Sequence, residues 1–298
     1  MKAIKIGERN YSFVGISEGD SYWNGLRDGA DDFLHRFCKS NLRPDDIVLD
    51  IGANIGVTAA ILSQHVPQGH VYAFEPGRQV FHALKSNIDA NALTNVTPLN
   101  MAVSDKAGTV QFAENSAWGH ISDRGMPVEA TTIDEFVKRH SLKRIDFIKI
   151  DVEGFEQCVL EGAATTLSCF SPLIYMEFNS WCLLAHRDTH PFDFARWLFS
   201  RFRDIYLVDR HNHGALRKLE QDELERFVHD NIVRNGCVDD IVLTNSTERI
   251  IQPSATISEL TSPAKRYLIK PNKKTRRRVR DVALGLVIGF AIGYFAHY

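Results

Sequence analysis

An α/β fold with a mostly parallel sheet is predicted for this chain by three observations. The apolar run Ile47-Val48-Leu49 leads into a glycine turn, Asp50-Ile51-Gly52-Ala53-Asn54-Ile55-Gly56. A helical pattern begins near Val57, and a second apolar run, Val71-Tyr72-Ala73-Phe74, stops at Glu75. From Arg43-Pro44-Asp45 onward, strand-like and helix-like segments alternate, as a parallel sheet with crossover helices requires. Strand, glycine turn, helix, strand, acid is the plan of a nucleotide-binding βαβ unit.

The elements follow in chain order. Residues 4–16 alternate loosely around Gly7 and Asn10 and suit a hairpin. Residues 20–38 have helical spacing, with Leu26, Phe33, Leu34 and Phe37 on one side. Residues 1–44 therefore read as an accessory hairpin and helix, and residues 45–246 as the main domain. Strands are expected at 47–51, 71–75, 96–102, 145–150, 173–178, 204–209 and 240–244. Helices are expected at 56–66, 77–91, 131–140, 154–168, 191–201 and 221–231. Residues 109–113 read as an extra edge strand, and the insert 114–130 as a long loop over the site. Residues 247–272, with weak periodicity, read as a linker.

Residues 273–298 combine a basic run with an apolar segment, 282–296, that carries no charge and no polar face. At about 1.5 Å per residue it falls somewhat short of a hydrocarbon core near 30 Å, a gap that snorkelling by Arg278 and Arg280 closes. Gly285, Gly289 and Gly293 give it one smooth face for helix pairing. The basic run places the globular part on the cytoplasmic face of a membrane. A terminal helix packed on the domain is the other reading.

The net charge of −2 hides an uneven distribution: Lys270, Lys273, Lys274, Arg276, Arg277, Arg278 and Arg280 leave −9 for the rest of the chain. An acidic globular part is a poor partner for a phosphate backbone, so nucleic acid is not expected as a partner. The 5 cysteines show no paired spacing and read as reduced, mostly buried thiols of a cytosolic protein.

The chemistry starts from Asp50. A carboxylate two residues before the glycine turn repels a dinucleotide's pyrophosphate and attracts a ligand carrying a sulfonium and an ammonium. The turn thus points to S-adenosylmethionine before NAD. Gly52 and Gly56 let the backbone approach a ligand closely, or simply make a tight turn. Asn54 reads as a partner of the cofactor's carboxylate or as a holder of the turn. Glu75 is placed to accept from both ribose hydroxyls, although NAD sites use an acid here too. Ser104 and Asp105 are candidates for the adenine, with a plain turn as the alternative.

Taken in order, the glycine turn, Glu75-Pro76, Asn100 to Asp105, Thr132-Ile-Asp-Glu-Phe136 and Ile148-Lys-Ile-Asp-Val-Glu-Gly154 resemble the FkbM family of S-adenosylmethionine-dependent methyltransferases. The resemblance covers roughly residues 46–180. It implies a class I methyltransferase (Rossmann-like) sheet of seven strands with the last antiparallel and helices on both faces. It also implies O-methylation of a hydroxyl, commonly that of a sugar.

Within that frame Asp151 is the first choice for the base or for orienting the acceptor, and Glu153 the second. Lys149, on a strand buried on both faces, needs a partner, and Glu177 or Asp50 is expected. A supporting ion pair and a catalytic role are both open for it. Asp151, Glu177 and Asn179 would make an oxygen-rich Mg²⁺ site, but a general-base mechanism without metal is preferred. The histidines are expected in solvent or satisfied polar contacts, with no helix around His186 and His190. His120 is the alternative base, and Trp118 and Trp181 line a sugar site or pack the rim. An NAD-dependent oxidoreductase and a membrane-tethered, non-catalytic member of the fold are the rival functions. The acceptor is expected to be a hydroxyl-bearing small molecule or glycan.

Overall fold

A computed structural model of the chain describes residues 1–116, 118–246 and 250–252. Two strands, β1 (Lys2–Ile6) and β2 (Arg9–Phe13), form the N-terminal hairpin, followed by helices α1 (Ser21–Gly25) and α2 (Asp32–Asn41). The helix expected over 20–38 is thus two helices. Asp20 caps the first through Tyr22 N and Trp23 N, and the chain re-enters a helix only after Gly29 and Asp31 turn it at positive φ.

Then come β3 (Ile47–Ile51), α3 (Val57–His65), β4 (His70–Phe74), α4 (Arg78–Ala90) and β5 (Val96–Leu99). A side assembly follows: β6 (Ala102–Val103), β7 (Gly108–Ala113), β8 (His120–Ile121) and β9 (Met126–Thr131). The chain continues through α5 (Ile133–Arg139), β10 (Phe147–Ile150), α6 (Glu156–Glu161), α7 (Ala164–Phe170), β11 (Leu173–Asn179), α8 (Ser180–Arg187) and α9 (Pro191–Phe199). It ends in β12 (Asp204–Asp209), β13 (Ala215–Leu219), a 3₁₀ turn at Gln221–Glu223, α10 (Leu224–Val233) and β14 (Val238–Thr244).

The main sheet has eight strands in the order β13-β12-β14-β11-β10-β3-β4-β5. β3, β4, β5, β10 and β11 pair in parallel, and β14 runs antiparallel to both β11 and β12. Seven strands were expected. The eighth, β13, forms a hairpin with β12 through Asp209–Ala215, whose charged tip Arg210-His211-Asn212-His213 masks the strand signal. The expected strand 96–102 breaks after Leu99, and its end joins a second, four-stranded sheet, β6-β9-β7-β8. Residues 109–113 therefore form an inner strand of that sheet, between β9 and β8, and not an edge of the main one, and the end of the insert read as a loop, from Met126, is strand β9. The helix expected over 154–168 is two, parted at Gly162-Ala163. A Cβ on Gly162 would stand 2.1 Å from the Ser104 carbonyl, so only glycine admits this close crossing.

Alternation along the strands splits the core into two layers. Val48, Val71, Ala73, Phe147, Tyr175 and Val242 face the N-terminal hairpin and α2 to α4. Leu49, Ile51, Phe74, Ile148, Ile150, Met176 and Ile241 face α5, α6 and α8 to α10. Both faces of the sheet are dry, which explains why its strands read as near-continuous apolar runs. Ile4, Ile6, Tyr11 and Phe13 of the hairpin are buried in the first layer, so the N-terminal segment closes that face of the sheet. Of the linker and tail expectations, all but residues 250–252 lie outside the described residues. Among the described residues no helix is long and apolar enough to cross a membrane.

Candidate functional site

The parallel strands β4, β3, β10 and β11 end on one edge of the sheet, and the order reverses between β3 and β10. That is where open α/β sheets bind ligands. Register places Asp50 beside Lys149 and, across β4, beside Ala73. Glu75, Asp151 and Asn179 sit at or just past the ends of their strands, so four strand ends bring these groups together.

Asp50 is fully buried. Its Oδ2 accepts from Thr58 Oγ1 at 2.7 Å, while Oδ1 has no hydrogen-bond partner among the described residues. Burial raises its pKa, and the charge of Lys149 opposes the rise. Lys149 is 6% exposed. Its Nζ donates to Asp151 Oδ2 and to the Gly52 carbonyl, both at 3.3 Å. The ion-pair partner is thus Asp151, not Glu177 or Asp50. The strand register sets Lys149 next to Asp50, but the long side chain extends toward the strand end, where Asp151 lies. Its nitrogen is surrounded by negative charge from Asp151, Asp50 and Asp31.

The glycine turn is shaped by the protein itself. Gly52 has φ +82, and a Cβ there would stand 1.8 Å from the Asp151 carbonyl oxygen. The neighbouring strand end demands glycine there. At Gly56 a Cβ would meet Leu84 Cδ1 at 2.8 Å. Asn54 takes φ +50 and its Oδ1 accepts from Ile55 N at 2.8 Å, so its side chain holds the turn. Glu75 ties two loops together: Oε2 accepts from Asn54 N at 3.0 Å and Oε1 from Gly77 N at 2.8 Å. Burial drives its carboxyl up to about 7 against these two bonds. Each oxygen keeps a second lone pair, which suits a diol. Ser104 and Asp105 follow β6 in the side sheet. Ser104 Oγ donates to Asp105 Oδ1 at 3.1 Å and Asp105 lies 3.8 Å from Lys106 Nζ, a self-contained turn.

Beyond Asp151, Glu153 adopts φ +55. Its Oε2 accepts from Cys182 Sγ at 2.8 Å, and its carbonyl accepts from His186 Nδ1 at 2.9 Å. Burial, then the charge of Asp151, lifts its carboxyl to about 8. Glu156 turns back to accept from Val152 N and Gly154 N, and burial raises it to about 7. Burial also raises Glu177 well above the usual range, with Asp151 and Glu153 adding to it. Asn179 Oδ1 caps α8 by accepting from Cys182 N, its Nδ2 donates to Glu177, and Asp151 is engaged by Lys149.

Several groups here were not foreseen. Helix α8 runs through His186, where no helix was expected, because Asn179 caps it and Pro191 falls beyond its end at Arg187. The side sheet carries His120 onto His186, the rings stacked at 3.7 Å and 1°. From the N-terminal segment, Tyr22 comes within the field of Asp31, Asp151 and Asp50. The aromatic-acid string Asp20-Ser21-Tyr22-Trp23 was the available signal. A surface cavity of about 420 Å³ lined by Tyr11, Gln64 and Asn91 contains none of these residues.

Strand order and glycine turn define a methyltransferase-like α/β fold with a mixed sheet. Residues 50–216 match the methyltransferase FkbM domain, and the chain belongs to that family. It is 33% identical over 159 residues to the hexuronic acid methyltransferase AglP of Haloferax volcanii, covering 51% of this chain and 64% of that one. It is 28% identical to the 2-O-methyltransferase NoeI of Sinorhizobium fredii, covering 49% and 69%. The chain thus spans about two thirds of the length of these relatives. The crystal structure of methyltransferase FkbM from Methylobacillus flagellatus KT is similar at TM-score 0.43 and 18% identity, over 68% of this chain and 44% of that one.

Proposed function

We propose that the chain is an S-adenosylmethionine-dependent O-methyltransferase acting on a sugar hydroxyl of a glycan or glycolipid. The observation that carries it is the buried Asp50 Oδ1 without a partner, set at the mouth of the first crossover. Such an oxygen is costly until a donor completes it, and the ammonium of a methyl donor would supply one. A dinucleotide's phosphates would raise that cost, which disfavours the NAD reading.

Asp50 would hold the ammonium, directly or through a water, and Glu75 the ribose hydroxyls. Asn54 and the glycines hold the loop under them, and Ser104 and Asp105 are candidates for the adenine edge. When bound, the cofactor supplies a methyl group already activated on a sulfonium. The chain's own work is alignment and proton removal. Asp151, one-third exposed at the end of β10 and oriented by Lys149, takes the hydroxyl proton. The names of the relatives, a hexuronic acid methyltransferase and a 2-O-methyltransferase, support a sugar acceptor. The tail, residues 273–298, would hold the enzyme at the cytoplasmic face of a membrane, near a lipid-linked acceptor.

Calorimetry with the two cofactors, then incubation of the full chain with isotope-labelled methyl donor and a glycolipid extract, tests the proposal. Heat with the methyl donor and label in a sugar ether are expected. Heat with NAD alone would overturn it.

A further inference from the structure

Cys182 and His186 lie one turn apart on α8, so they share a face. Glu153 meets that face from the β10–α6 loop. One ligand atom from each of the three lies within 4.8 Å of the others. Tetrahedral Zn²⁺ with bonds of about 2.0–2.3 Å sets its ligand atoms roughly 3.5 Å apart. The 2.8 Å between Cys182 Sγ and Glu153 Oε2 lies below that spacing and the 4.8 Å bound on the set lies above it.

Three further features point to a cation. His186 Nδ1–H donates to the Glu153 carbonyl, which leaves Nε2 with its lone pair, the tautomer that metal-binding histidines adopt. Asp151, Glu156 and Glu177 surround the cluster, and Lys149, the nearby buried cation, is already paired with Asp151. Glu156 Oε2 is buried without a partner among the described residues. His120 stacks face to face on His186, so their in-plane lone pairs cannot converge on one ion. It covers the ring and does not ligate.

We propose that Glu153, Cys182 and His186 form a site for one Zn²⁺-class ion, with a fourth position open to the acceptor's hydroxyl oxygen. A mixed O, S, N set selects a borderline metal over Mg²⁺. Binding exchanges three of the ion's water ligands for Zn–O, Zn–S and Zn–N bonds and releases to solvent the protons held by the Cys182 thiol and the Glu153 carboxyl, with no change of oxidation state. The bound ion makes the hydroxyl more acidic, and Asp151 accepts its proton. This role rests on the proposed methyl transfer, whereas the site itself does not.

The test is titration of tag-free, metal-stripped full chain with Zn²⁺ and with Co²⁺. One equivalent is expected, with a thiolate-to-cobalt absorption band. Cys182→Ser abolishes the band, and Cys182→Ser and His186→Gln each weaken Zn²⁺ by about 10²-fold or more, at least the loss of a supporting partner. Cys169→Ser, an exposed thiol elsewhere, leaves binding unchanged. Circular dichroism confirms that each variant is folded. No stoichiometric binding by the wild-type chain, or binding that survives both Cys182→Ser and His186→Gln, overturns the site. Methyl-donor binding on the same sample separates the two proposals: donor heat without metal binding sinks this one alone, and metal binding without donor heat sinks the function.

Discussion

One lysine organises the charges of the site. Lys149 lies between Asp50 and Asp151 and touches the Gly52 carbonyl, so one cation links the proposed base, the proposed cofactor acid and the glycine turn. Asp151→Asn keeps the shape and the Lys149 contact but removes the proton acceptor. Turnover is expected to fall by about 10²–10⁴ with donor affinity unchanged, read by steady-state kinetics beside calorimetry. Unchanged turnover would remove Asp151 from the role of base. Glu75 gives a pH test. Its folded-state carboxyl is held up at about 7, and a diol donates better to the ionised form. As pH rises through that value the ionised fraction grows, so donor affinity is expected to rise about tenfold from roughly pH 6 to pH 8. Glu75→Gln should bind weakly and lose the dependence. An equal slope in the variant would assign the effect to another group.

At the scale of elements, the site depends on how closely β3 and β10 end together. Gly52 is the contact point, because the Asp151 carbonyl occupies the place of its side chain. Gly52→Ala strains a φ of +82 and, in addition, must part the strand ends. A loss of about 2–5 kcal/mol in urea unfolding is expected. A wild-type midpoint would show that the strand ends yield easily. The same geometry explains what could be read from the chain beforehand. Strands β3, β4, β10 and β11 are buried on both faces, so their apolar runs and the acids ending them were visible as sequence. Helix α8 was hidden because its start depends on Asn179, whose capping role needs the end of β11 to be known. The side sheet was hidden because β6 and β8 are two residues each, too short to show a period. The partner of Lys149 was misjudged because register fixes neighbours at the backbone, while a four-carbon side chain reaches past them.

At the scale of the whole molecule, two distant segments meet the edge where the parallel strands end: Tyr22 from the N-terminal layer, near Asp151 and Asp50, and His120 from the side sheet, stacked on His186. Neither belongs to the βαβ unit that carries the glycine turn. The remaining charge asymmetry concerns where the molecule works. Seven cations from Lys270 to Arg280 precede an uncharged segment, 282–296, and the rest of the chain carries −9. An acidic body is repelled by an anionic leaflet, while a basic run is attracted by about 1 kcal/mol per residue near the surface. Attraction by the run together with the proposed insertion of the apolar segment would be a two-signal arrangement of the kind that gives stable attachment. The full chain is therefore expected in the membrane fraction and to resist extraction by high salt. A chain ending at residue 272 should be in the supernatant with its donor affinity intact. Release of the full chain by salt alone would mean that the basic run, without insertion of 282–296, is all that holds it.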